Sequence, residues 1–117
     1  MAMAMTGEQL VGILHETINA LVKREGDDLS ARQLAVFLTC YLKEGAHTVR
    51  GLSTDLEISK PAVTRALDRL CELDLARRKT DPADRRSVLV QRTTRGASYL
   101  RELRNVMTAA ASPRRTR

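Results

Sequence analysis

An α+β fold, mostly α, is predicted by three features of this 117-residue chain. Two short amphipathic helical patterns meet at a tight turn between Thr48 and Leu73. Two cation-rich strand patterns follow between Ala76 and Arg92, and an apolar helical pattern lies on each side of the block. Helix, turn, helix and ribbon in that order make a winged helix-turn-helix, and the outer segments make flanking dimerisation helices. The organisation read from this pattern is an N-terminal dimerisation helix in 1–28, a winged helix-turn-helix over 29–93, a C-terminal dimerisation helix over 94–111 and a flexible basic tail over 112–117.

Each element has a local reason. Thr6-x-x-Gln9 is a capping box, and Leu10, Val11, Ile13, Leu14, Ile18, Leu21 and Val22 recur at helical spacing to about Lys23. Those seven apolar residues cover two faces, more than packing on one small domain requires, so a dimer through 6–24 and 94–110 is expected. Gly26-Asp27-Asp28 breaks this helix, and Ser30-x-x-Gln33 caps a second whose Leu34, Phe37, Leu38, Tyr41 and Leu42 face a core before Gly45 ends it. Thr48 caps a third helix with Val49, Leu52 and Leu56 inward. After the turn at Glu57-Ile58, Ser59 caps a fourth running to about Leu73, with Pro61 in its first turn where a missing N–H costs little. Strands are expected at Ala76–Thr80 and Ser87–Arg92 around an Asp81–Arg86 loop, and Thr93 caps the last helix.

Charge is unevenly spread. Residues 1–58 hold 5 Lys+Arg against 8 Asp+Glu, residues 59–95 hold 10 against 5, and residues 96–117 hold 5 against 1, so the net of +6 resides in the ribbon block and the tail. A polyanionic partner is therefore expected at that block. Cys40 and Cys71 have neither Cys-x-x-Cys nor Cys/His spacing, which excludes a disulfide framework or zinc motif and suits a reducing cytoplasm. An oxidant sensor needs an electropositive, accessible thiol; Cys40 follows the core face of its helix and Cys71, though near Arg residues, lies on a helix flank, so neither is expected to sense oxidants. The start of the chain lacks a charged segment followed by an apolar core, and no apolar run approaches the ~18 residues of a membrane span. His15 and His47 lie far apart, no Ser or Cys has a base at motif spacing, and no glycine-rich phosphate loop occurs. No catalytic residue, metal site or cofactor is expected.

In the fourth helix Val63, Ala66, Leu67, Leu70 and Leu73 fall on one side and Pro61, Arg65, Asp68 and Glu72 on the other, with Thr64 and Arg69 on the flanks. Such a helix can enter a major groove of double-stranded DNA. Arg65 can donate two hydrogen bonds to guanine, Thr64 can meet a thymine methyl or a base edge, and Ser59 and Lys60 sit where helix N-terminal amides and a cation meet phosphate. An ordinary solvated charged face would need only intrahelical partners such as Arg65–Asp68. The turn before and the ribbon after favour the DNA reading. In the ribbon Asp84 stands two residues before Arg86 and is expected to hold its guanidinium for a narrow minor groove, while Arg77, Arg78, Lys79 and Arg85 reach phosphate.

From about Leu29 to Leu103 the chain resembles the MarR family of bacterial winged-helix transcription regulators. The resemblance rests on Ile58-Ser59-Lys60-Pro61-Ala62-Val63-Thr64-Arg65-Ala66-Leu67-Asp68-Arg69-Leu70, on Asp81-Pro82-x-Asp84-x-Arg86-Ser87-Val88-x-Val90 and on Thr93-x-x-Gly96. It implies a homodimer on a palindromic operator, with Ser59, Lys60, Thr64 and Arg65 on the recognition helix and Asp84 and Arg86 at the wing tip. It also implies small aromatic effectors between the dimer helices and the DNA-binding lobe, for which Phe37, Tyr41, His15 and Tyr99 are candidates, although core packing is the favoured role of Phe37 and Tyr41. The sequence departs from the pattern at Glu57 and Asp74, where the family has glycine, and at Arg92, where it has an apolar residue. Asp tolerates a left-handed backbone better than Glu, so an altered turn is expected at Glu57. Many relatives also continue into a further dimerisation helix.

The reading is a non-enzymatic, cytoplasmic, sequence-specific regulator of transcription acting as a repressor. Its rival is a winged-helix protein-interaction module that pairs with another regulator.

Overall fold

The structure is a computed structural model that describes residues 4–26 and 28–112. Most of the basic tail expected over 112–117 lies outside the described residues. The elements run α1 (Gly7–Lys23), α2 (Ala31–Leu42), β1 (His47–Thr48), α3 (Val49–Leu56), α4 (Lys60–Glu72), β2 (Arg77–Asp81), β3 (Asp84–Gln91) and α5 (Thr94–Ala110). They divide into two compact units, one made of residues 1–28 and 100–117 and the other of residues 29–99. No helix among the described residues is long and apolar enough to cross a membrane.

In the larger unit every helix start carries the cap its sequence announces. Ser30 Oγ accepts from the Gln33 N–H while Gln33 returns a bond to the Ser30 N–H, Thr48 Oγ1 accepts from Gly51, and Ser59 Oγ accepts from Ala62. Each such cap contributes about 1 kcal/mol by satisfying an otherwise orphaned donor. The core comprises Val36, Phe37, Cys40 and Tyr41 of α2, Leu52 of α3, Ala62, Val63, Ala66, Leu67 and Leu70 of α4, and Leu75 and Ala76 beyond it. Full burial of each Val, Leu or Phe in this group stabilises the fold by roughly 1.5–3 kcal/mol. Leu73, expected on the same face, is only half-buried because α4 has ended at Glu72.

The sheet has the order β1-β3-β2 and is antiparallel throughout. β1 pairs His47 with Val90 and Thr48 with Leu89; no sequence pattern announces this two-residue strand, which ties the start of α3 to the ribbon. The ribbon itself departs from expectation. Asp84, Arg85 and Arg86, read as loop, belong to β3, leaving Pro82-Ala83 as the turn. Backbone pairing of Asp81 with Asp84, after an irregularity at Thr80/Asp81, carries the ladder through these polar residues. The Asp81 carboxylate accepts from the Ala83 N–H and closes the turn.

Glu57 and Asp74 adopt the left-handed backbone that glycine favours, with φ of 55° and 60°. The altered turn expected at Glu57 is therefore not found. Glu57 takes the strained conformation itself, its N–H bonded back to α3 carbonyls, while Ser53 donates to the Ile58 carbonyl across the same corner.

Tyr41 organises the larger unit. Its ring stacks on Phe37 with centroids 4.4 Å apart, and Tyr99 meets Phe37 edge-on at 5.2 Å. Its hydroxyl donates to the Leu75 carbonyl at 2.9 Å and accepts from the Thr93 N–H at 2.9 Å. Thr93 caps α5 through the Gly96 N–H and donates to the Asp74 carbonyl. Both roots of the ribbon and the start of α5 are thereby fixed to α2. Arg92 explains its own departure from an apolar residue: Nε and Nη2 donate to the carbonyls of Cys40 and Lys43, closing the C-terminus of α2, and the guanidinium lies 5.6 Å from the centre of the Tyr41 ring.

In the smaller unit α1 opens on the Thr6/Gln9 capping box and Arg24 pairs with Glu102 at 2.8 Å. Thr17 is buried and donates to the Ile13 carbonyl. Leu10, Leu14, Ile18 and Val22, spaced four apart, and the adjacent Val11 are all 41–64% exposed.

Candidate nucleic-acid interface

The burial of α4 is one-sided. Ala62, Val63, Ala66, Leu67 and Leu70 are buried, whereas Pro61, Thr64, Arg65, Asp68 and Glu72 are exposed, as the helical wheel predicts. The exposed side of the first two turns presents Lys60, Thr64 and Arg65 to solvent, and Ser59 at the N-cap is exposed while its hydroxyl is spent on capping. The helix start therefore offers cations, a hydroxyl and partly positive amide ends on one surface.

Acidic side chains sort the remaining cations. Arg78 donates to Asp68 at 2.7 Å, joining β2 to the exposed face of α4, and this bond raises the pKa of Arg78. Arg69 pairs with Glu72 at 2.8 Å, and Arg77 lies 3.5 Å from Asp74. The charged face of α4 is thus partnered, but through Asp68–Arg78 and Arg69–Glu72 and not through Arg65–Asp68. Among the described residues Lys60, Arg65, Lys79 and Arg85 form no ion pair, so their charge is available to a ligand.

At the wing tip Asp84 acts on the backbone more than on the guanidinium. Its Oδ1 accepts from the Arg86 N–H at 3.1 Å and its Oδ2 from the Ser87 hydroxyl at 3.2 Å. The Arg86 Nε is 3.9 Å away, and the Arg86 side chain is 95% exposed. The carboxylate therefore sets the strand from which Arg86 projects, and its contact with the guanidinium is the longer one. Arg86, Ser87 and Val88 line one groove of about 320 Å³ with Lys60 and Thr64 of α4 and Thr48, Val49 and Arg50 at the start of α3. Arg50 is a member of this surface that sequence reasoning missed, because β1 and the wing approach α3 only in three dimensions.

The other candidate residues find ordinary places. Phe37 and Tyr41 are buried in the core with Tyr99 against Phe37, and His15, in the other unit, is exposed beside Asn19. Burial pushes the Cys40 thiol up to about 11, with Arg92 opposing weakly, so it carries almost no thiolate near neutral pH. No group of three or more His, Cys, Asp or Glu side chains that could hold a metal occurs among the described residues.

Comparison with known proteins agrees with this architecture. The structure is similar to that of the transcriptional regulator Tm0710 from Thermotoga maritima, with a TM-score of 0.73 and 24% identity over 87% of this chain and 69% of that one. It is also similar to the YusO protein from Bacillus subtilis, with a TM-score of 0.69 and 23% identity over 90% of this chain and 80% of the other. The transcriptional regulator BldR from Sulfolobus solfataricus gives a TM-score of 0.64 and 27% identity over 87% and 70%. A comparison with curated proteins gives no match. The MarR family profile matches residues 27–87, more than half of the chain. With its capped α4, three-stranded wing and this match, the chain belongs to the MarR family.

Proposed function

We propose that the protein is a cytoplasmic regulator of transcription that binds a specific, palindromic double-stranded DNA operator as a homodimer and represses from it. The observation that carries this reading is the exposed first half of α4, where Lys60, Thr64 and Arg65 stand unburied on a helix whose opposite face is core. Lys60, Pro61, Thr64 and Arg65 enter the major groove, Arg65 pairing with guanine. Ser59, Lys79 and Arg85 meet phosphate, and Arg86 reaches the minor groove from the strand that Asp84 shapes. Arg69, Arg77 and Arg78 approach the backbone while already engaged by carboxylates. The α1 stripe of Leu10, Val11, Leu14, Ile18 and Val22 is what a second copy would cover. A small aromatic effector would act by changing the dimer, without covalent chemistry.

Selection of fragments from the native genome by the purified protein, followed by binding curves at several salt concentrations, tests the reading. Specific fragments should bind at least ~10³-fold more tightly than random duplex at matched salt. Arg65→Ala should weaken the preferred site by roughly 1–3 kcal/mol and flatten preference at one position in each half-site. Equal affinity for all duplexes would reject specific regulation. A stable complex with another regulator, without salt-dependent DNA binding, would favour the protein-interaction module.

A further inference from the structure

We infer that Arg50, at the start of α3, is a further DNA-backbone contact, seating a phosphodiester in the groove it shares with Lys60 and Arg86. The inference rests on the DNA-binding reading and deepens it. The groove is bounded by three elements: Thr48, Val49 and Arg50 on one side, Lys60 and Thr64 of α4 on the second, and Arg86, Ser87 and Val88 of β3 on the third. Three of its eight lining residues are cations and none is acidic. Among the described residues Arg50 is exposed and forms no ion pair, and Arg86 is paired only with Asp84, which lies outside the lining and 3.9 Å away.

The walls are fixed. The Thr48 hydroxyl is committed to the Gly51 N–H at 3.0 Å, and Thr48 is paired with Leu89 in the sheet, so the first turn of α3 is held against the wing by backbone bonds. Lys60 follows the α4 N-cap, where partial positive charge adds to that of the ammonium. A concave surface with this charge selects a phosphate group, and its place between recognition helix and wing puts that phosphate on the strand running between the two grooves these elements address. Arg50 thus adds positioning without reading sequence.

Counterion release gives the test its scale. One phosphate contact contributes about 0.9 to the slope of log affinity against log salt, hence about 8-fold in affinity at ~0.1 M salt relative to 1 M. Arg50→Gln should weaken specific and random duplexes alike by about that factor at low salt, make the slope shallower by about 0.9, and converge with the unsubstituted protein near 1 M. Arg50→Lys should retain most of the slope, and both variants should keep the thermal midpoint because the side chain is exposed. An unchanged slope in Arg50→Gln, or a loss confined to one sequence, would overturn the inference while leaving the DNA-binding reading standing. Absence of any salt-dependent duplex binding by the unsubstituted protein would overturn both together.

Discussion

Gly96→Ala should destabilise this protein, against the usual direction for a glycine inside a helix. Gly96 lies in the first turn of α5, where alanine ordinarily gains about 1 kcal/mol. Here an ideal Cβ would stand 1.7 Å from the Tyr41 hydroxyl oxygen, 2.5 Å from the Tyr41 Cζ and 2.8 Å from the Leu75 carbonyl oxygen. The first two contacts require the tyrosine to move, and the third is backbone that moves only with the α4–β2 connection. Displacing Tyr41 forfeits its bonds to Leu75 and Thr93, each contributing about 0.5–1.5 kcal/mol, and overpacking adds roughly 1–3 kcal/mol. Less the propensity gain, the net loss is about 1–5 kcal/mol, a fall in Tm of roughly 3–20 °C for a chain of this size. Urea and thermal unfolding of Gly96→Ala, Tyr41→Phe and the double variant measure it. The double variant should lose less than the two single changes together, since removing the hydroxyl removes the nearest clash. A Gly96→Ala protein as stable as the parent would refute the account of Tyr41 as the node joining α2, the ribbon and α5.

Three further outcomes follow from the geometry. Asp68→Ala and Arg78→Ala should show a coupling of about 0.3–1 kcal/mol in a double-mutant cycle, modest because both side chains are partly exposed, and the charge swap Asp68→Arg with Arg78→Asp should recover part of it; strictly additive losses would dissolve the link between recognition helix and wing. Burial keeps the Cys40 thiol protonated to about pH 11 in the folded state, while the unfolded chain ionises near 9. Its contribution is therefore intact below about pH 9 and falls by about 2–3 kcal/mol as pH rises to 11, and Cys40→Ala should remove that part of the alkaline slope in urea titrations. Leu14→Glu should shift sedimentation at tens of micromolar from dimer to monomer with helicity retained, whereas a parent protein that already sediments as a monomer would reject the dimer.

Elements announced by local chemistry were legible in the sequence. Thr6 with Gln9 and Ser30 with Gln33 form the reciprocal caps their spacing predicts, and the buried side of α4 follows its wheel. The exposed α1 stripe likewise follows from its excess of apolar residues. Features made by distant partners were not legible. The hydroxyl of Tyr41 bonds across 34 and 52 residues, Arg92 caps α2 from 49 and 52 residues away, and β1 is too short to carry a period. The wing was misjudged because Asp84, Arg85 and Arg86 have a turn-like, polar composition while their backbones continue the ladder. Within the candidate interface, residue types revealed which cations exist; only three-dimensional structure distinguishes Arg78, held by Asp68, from Lys79 and Arg85, which are unpaired among the described residues.

The order β1-β3-β2 leaves β2 at an open edge, with unpaired backbone donors and acceptors along one side. Such an edge invites another chain to add a strand, the first step of aggregation. Arg77, Arg78 and Lys79 occupy three successive positions of β2, so an incoming copy in parallel, in-phase register would set like charges opposite one another. The same cations are expected to disfavour pairing of free copies through this edge. Neutralising all three to abolish DNA binding would remove that protection as well, and loss of solubility in such a variant would reflect an unguarded sheet edge and not a failure of the helical core.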